Sequence, residues 1–95
     1  MTKKPKKRAI IAVLGKDKIG TVSKISSFMA KNSINIEEIS QTIIKDIFTM
    51  IMLLDLEKSD LTIAELSKKL SKIGGEIGHE IHVHDEKIIK AMHRI

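Results

Sequence analysis

Apolar residues fall into short blocks whose spacing changes along the chain. Ala9-Ile10-Ile11-Ala12-Val13-Leu14 is an unbroken, β-branched run that ends at Gly15; such a run predicts a strand buried on both faces. After Gly15-Lys16-Asp17-Lys18-Ile19-Gly20, the residues Val22, Ile25, Phe28 and Met29 recur at helical spacing and Asn32-Ser33 supplies a stop. A first helix therefore follows the first strand. Ile34-Asn35-Ile36 opens a second strand. Its alternation changes phase at Glu37-Glu38, beyond which Ile39, Gln41 and Ile43 share a face, and a β-bulge at the two glutamates is the simplest cause.

Lys45-Asp46 separates this strand from the apolar run Ile47 to Leu54, which predicts a hairpin whose turn lacks the favoured glycine. Thr62 with Glu65 three residues on reads as a capping box, and Ile63, Leu66, Leu70 and Ile73 form the stripe of a second helix that Gly74-Gly75 is expected to end. His79-Glu80-Ile81-His82-Val83-His84 alternates as a fourth strand, and Asp85 is placed to cap a last amphipathic turn carrying Ile88, Ile89 and Met92. The order β-α-β-β-α-β predicts an α+β, ferredoxin-like fold: a four-stranded antiparallel sheet with two helices on one face, plus a short C-terminal helix. That topology puts the first and third strands in the middle, and these are the two runs apolar on both parities. Two helices cover one face only. The second apolar face of the third strand needs another partner, so a homodimer through sheet surface or edge is expected.

At 95 residues the chain encloses one core, read as a basic tail over 1–8 and a single domain over 9–95. The formal net charge of +5 first suggests nucleic acid or an anionic membrane. Its distribution argues otherwise: Lys3, Lys4, Lys6, Lys7 and Arg8 carry the surplus, and from Ala9 to Ile95 the 12 basic residues balance 12 acidic ones. The body is neutral, the tail reads as a solvated arm, and a nucleic-acid partner is not expected. There is no cysteine, which excludes disulfides, a thiolate nucleophile, iron–sulfur clusters and Cys-containing zinc sites. The run from Ala9 to Leu14 is too short for a secretory signal or a membrane span, so a cytoplasmic protein is expected.

Ferredoxin-like folds host many functions, so side chains must decide. RNA-recognition versions stack bases on strand aromatics, whereas Phe48 is the only aromatic in any predicted strand. An acylphosphatase-like hydrolase needs an arginine in the first loop, which here offers Lys16 and Lys18. The loop also lacks the Lys-Ser/Thr of a P-loop, having Thr21-Val22 there. What remains is a helix start. Gly20 either lets the amides of Ile19, Gly20, Thr21 and Val22 approach a carboxylate or phosphate, or serves only the strand-to-helix turn. Asp17 either binds an ammonium group or caps that turn. His82 and His84 share a strand face with Glu80, a spacing more often met on a polar exposed face than in a metal site; His79 and His93 have no evident partners. No nucleophile–base or paired-carboxylate arrangement can be picked out, so no enzyme activity, cofactor or metal is expected. The methionines read as core filler.

Taken together, Gly15-Lys16-Asp17-Lys18-Ile19-Gly20-Thr21-Val22 resembles the Asp-Arg-Pro-Gly loop and helix start of the ACT domain, a ligand-sensing module of amino-acid metabolism. Asn35-Ile36 resembles the Asn-Ile of its second strand. Ile39-Ser40-Gln41-Thr42 and Phe48-Thr49-Met50 are similar to stand-alone ACT proteins and to the glycine cleavage system repressor group. The resemblance implies an amino acid held at a dimer interface, with Asp17, Ile19, Gly20 and Thr21 on the loop and Asn35 and Ile36 closing the pocket from a neighbouring subunit. Ile19 stands where the family has proline, which leaves the loop less rigid. Two functions follow: a homodimeric amino-acid sensor acting on a partner protein in trans, or an interaction subunit without a ligand.

Overall fold

The computed structural model describes residues 7–16 and 20–87. They form β1 (Arg8–Gly15), α1 (Thr21–Lys31), β2 (Asn35–Ile44), β3 (Ile47–Asp55), α2 (Ile63–Ile77) and β4 (Glu80–Asp85). The strands lie in the order β2-β3-β1-β4 with every neighbour antiparallel, which is the expected ferredoxin-like sheet. The last helix expected around Ile88, Ile89 and Met92 lies outside the described residues. The chain leaves β4 with the Asp85 carboxylate accepting the Lys87 amide at 2.8 Å.

One parity of the central strands makes the core. Ala9, Ile11 and Val13 of β1 and Phe48, Met50, Met52 and Leu54 of β3 are buried with Ile25 and Met29 of α1 and Leu66 and Leu70 of α2. The other parity of β3 is partly open, and Ile51 is 47% exposed there. The bulge explains how β2 joins the same core. Ile36 pairs with Leu54 and Glu38 with Leu53, leaving Glu37 as the extra residue. Ile36 and Ile39 are three apart, so only an inserted residue lets both face the helices.

Glu37 is put to use where it bulges. Its carboxylate lies 3.0 Å from the guanidinium of Arg8, whose other nitrogen is 3.3 Å from Glu86. Arg8 is thus the first residue of β1 and ties both edges of the sheet together, although the sequence pattern placed it in the basic tail. Lys7 is engaged as well. Its carbonyl accepts the Leu56 amide at 2.8 Å, and its ammonium donates to the Leu61 carbonyl.

The β2–β3 turn holds Lys45 at φ 47° and Asp46 at φ 68°. Two positive φ values in a two-residue loop are the type I′ geometry that follows the strand twist, which explains why the hairpin forms without the favoured residues. The capping box forms as expected: Thr62 Oγ1 accepts the Glu65 amide at 3.1 Å, and Glu65 accepts the Thr62 amide at 2.9 Å. Hydrogen bonding to the carboxylate from Thr62, first by its amide and then by its hydroxyl, holds the Glu65 carboxyl below its ordinary value. The cap's contribution is therefore full above the ordinary carboxylate range and is lost as pH falls through the lowered value.

The end of α2 differs from expectation. The helix runs through Gly74-Gly75 to Ile77 and closes at Gly78, φ 72°. Gly74 is a packing glycine. A Cβ there would lie 2.7 Å from the His79 carbonyl and 3.1 Å from Ile81, whereas one at Gly75 meets nothing within 4 Å.

Two substitutions separate these roles. Gly74→Ala is expected to lower stability by about 2 kcal/mol through overpacking against β4, while Gly75→Ala raises it by about 0.5–1 kcal/mol through helix propensity; urea unfolding followed by circular dichroism reads both. Asp46→Gly relieves a left-handed residue and is expected to add up to about 1 kcal/mol by the same measurement.

Candidate functional site

The site begins where β1 stops. Gly15 pairs with Phe48 at one end of the sheet, and the chain turns there into α1. Asp17 and Ile19, two of the expected ligand residues, lie outside the described residues. Gly20 and Thr21 are described. Gly20 sits at φ 77°, and a Cβ on it would meet nothing within 4 Å. The backbone conformation calls for glycine, and the space above it is open. Among the described residues no side chain caps α1, and its first turn carries no acidic residue. The first backbone bond of the helix runs from the Lys24 amide to the Gly20 carbonyl at 2.9 Å, so the Val22 and Ser23 amides come before it. Such a helix start favours an anion.

Thr21 contributes its backbone to this turn, because its side chain is directed inward. The residue is 1% exposed, and Oγ1 lies 3.1 Å from Nε2 of His79. The other ring nitrogen, Nδ1, is 2.9 Å from the Ile77 carbonyl. A carbonyl only accepts, so Nδ1 donates to Ile77, and Nε2 shares the second hydrogen bond with the Thr21 hydroxyl. The ring lies against the α-carbon of Gly15, where a Cβ would come within 2.1 Å of its Cδ2. His79, for which the sequence suggested no partner, is therefore part of the site. Nothing in its local pattern announces a partner 58 residues away.

Asn35 and Ile36 are elsewhere. Asn35 pairs with Asp55 and Ile36 with Leu54, whereas Phe48, beside Gly15, faces Ile43. Within one chain the two halves of the expected site are separated by most of β3, roughly 23 Å at the usual strand rise. Asn35 lines a cleft of about 500 Å³ with Ala30, Ser33, Asp55, Glu57 and Lys58. β2 is an edge strand, and along it Ile39 is 45% and Ile43 63% exposed.

His82 and His84 lie exposed on β4, with His82 3.8 Å from the Glu80 carboxylate. Among the described residues no group of three or more His, Cys, Asp or Glu is placed to hold a metal ion. No described helix is long and apolar enough to cross a membrane.

Residues 7–84 match the family model described as ACT domain. The chain is 49% identical over 86 residues to a UPF0237 protein of Methanococcus maripaludis, covering 90% of this chain and 96% of that one. The fold superposes on an ACT domain protein from Streptococcus pneumoniae with a TM-score of 0.79 at 30% identity, covering 87% of this chain and 93% of that one. It also matches a candidate glycine cleavage system transcriptional repressor, TM-score 0.72 at 18% identity, covering 84% of this chain and 46% of the other. At that identity the match speaks for a shared fold.

The two glycines of the turn should respond differently to alanine. Gly15→Ala drives a methyl into the His79 ring and is expected to cost about 2–3 kcal/mol. Gly20→Ala meets no atom and is expected to cost about 1 kcal/mol through its φ alone. Equal costs in urea unfolding would contradict this account of the turn.

Proposed function

The chain belongs to the ACT domain family, a family of regulatory ligand-binding modules, and on that premise we propose that it is a homodimeric sensor that binds a free amino acid and acts on a partner protein in trans. The observation that carries this reading is the division of the site. Gly20 and Thr21 lie at one end of the sheet and Asn35 and Ile36 at the other, so one chain holds only half of a pocket at each end. A two-fold axis beside β2 runs the two edge strands antiparallel and brings Asn35 and Ile36 of one protomer toward the β1–α1 turn of its partner. The exposed Ile39 and Ile43 favour that edge. Both gain cover when β2 meets a second copy, each contributing on the scale of ~25 cal/mol per Å² of apolar surface buried.

The chemistry of a free amino acid suits such a pocket. Its carboxylate is matched to the start of α1, and its ammonium group to a carboxylate, Asp17 in the sequence of the loop. The backbone of Gly20 and Thr21 lines the loop side, to which the family resemblance also assigns Ile19. Asn35, with an amide that both donates and accepts, closes the pocket with Ile36 from the partner.

Sedimentation velocity together with isothermal titration against the proteinogenic amino acids tests this reading. Wild-type protein is expected to be a dimer at micromolar concentration and to give heat with a small subset of amino acids. Ile43→Lys is expected to yield a monomer that has lost both the dimer and the heat. A wild-type monomer removes the composite pocket. A dimer that binds no amino acid at millimolar concentration is an interaction module without a ligand.

A further inference from the structure

The contacts of His79 exceed what a residue in a tight connection needs. Its amide donates to the Gly74 carbonyl at 2.8 Å, and Gly74 has no Cβ to keep that backbone away. One ring nitrogen is 2.9 Å from the Ile77 carbonyl and the other 3.1 Å from Thr21 Oγ1. The ring is seated on Gly15, the last residue of β1. A glycine, a buried threonine and a carbonyl thus meet the imidazole, while a second glycine and its carbonyl meet the backbone of the same residue. Rotating the ring away breaks its hydrogen bond to a threonine that is 1% exposed, and a hydrogen bond lost in a buried setting is costly.

We infer that His79 is a positioning residue: its imidazole holds the start of α1 against the end of β1 in the conformation that presents the first amides of α1, and locks it to the connection between α2 and β4. Gly20 offers α1 no side-chain cap, so the first turn is anchored from the side, through Thr21. The consequence for binding rests on the amino-acid reading above; the consequence for the turn stands without it.

The two ring nitrogens can be tested separately. Gln reaches as far as Nε2 and keeps a partner for Thr21, whereas Asn reaches only as far as Nδ1 and keeps the donor to Ile77. Amide hydrogen exchange of the full-length protein is the first measurement. His79→Asn is expected to raise exchange at Lys24, whose amide is bonded to the Gly20 carbonyl at the start of α1, by about tenfold, the size of one lost buried hydrogen bond, with His79→Gln close to wild type. Thr21→Val, which removes the hydroxyl and keeps the shape, is expected to match His79→Asn and serves if that variant does not fold. Equal exchange in His79→Gln and His79→Asn, or wild-type exchange in Thr21→Val, overturns the inference, since packing alone then accounts for the ring.

Titration with the proteinogenic amino acids is the second measurement. Binding about tenfold weaker in His79→Asn and Thr21→Val but retained in His79→Gln supports positioning of the ligand turn. Wild-type affinity in Thr21→Val overturns that part. If wild-type protein itself gives no heat, the ligand reading fails, and the exchange result still decides the role of His79.

Discussion

The constraint on which the fold depends is that β1 and β3 must each place one side-chain parity under only two helices. Ile11 and Val13 of β1 and Met50, Met52 and Leu54 of β3 fill that space with Ile25, Met29, Leu66 and Leu70, and other features accommodate it. β2 needs an inserted residue at Glu37 to bring Ile36 and Ile39 onto the same side. β4 needs a helix without a side chain at position 74 in order to fold back beneath α2. The inserted glutamate then becomes an anchor for Arg8, which also holds Glu86 beyond β4. A packing demand in the core thus creates the ion pairs that tie the two sheet edges together, partly buried charges that stay paired.

The elements were legible from the chain wherever a local signal was strong. The phase change at Glu37-Glu38 located the bulge because side chains alternate with a period of two, and a break in that period has few causes. Thr62 and Glu65 located the start of α2 because a capping box is written in residues three apart. The end of α2 was misplaced for an equally local reason. Gly74-Gly75 looks like a stop, but its first glycine answers to the His79 carbonyl and Ile81 across a connection that periodicity does not see. Arg8 was grouped with the lysines before it because charge runs read as tails, whereas its carboxylate partners lie at Glu37 and Glu86. The candidate site was half legible. Gly20 and Asn35 stand in recognisable motifs, but the imidazole against Gly15 and Thr21 is a tertiary contact, invisible until β4 is folded against the end of β1.

A pocket whose halves lie at opposite ends of a sheet has a thermodynamic consequence that a pocket within one chain lacks. In the proposed dimer, a ligand meets a complete site only where two protomers pair, so it binds the dimer and not the monomer. It then stabilises association by RT ln(1 + [L]/Kd) for each site occupied, and association raises ligand affinity by the same coupling free energy. At a concentration a hundred times its Kd, a ligand contributes about 2.7 kcal/mol per site. That is on the scale of covering one half-exposed isoleucine at ~25 cal/mol per Å², so in the proposed dimer the amino acid would add to an association that the apolar edge of β2 already favours. A small module with no second domain among its described residues can in this way convert a metabolite level into a surface, since the face offered to a partner protein differs between one protomer and two. The His79 lock fits this arrangement: it ties the start of α1 to the connection between α2 and β4, so less ordering there would oppose assembly.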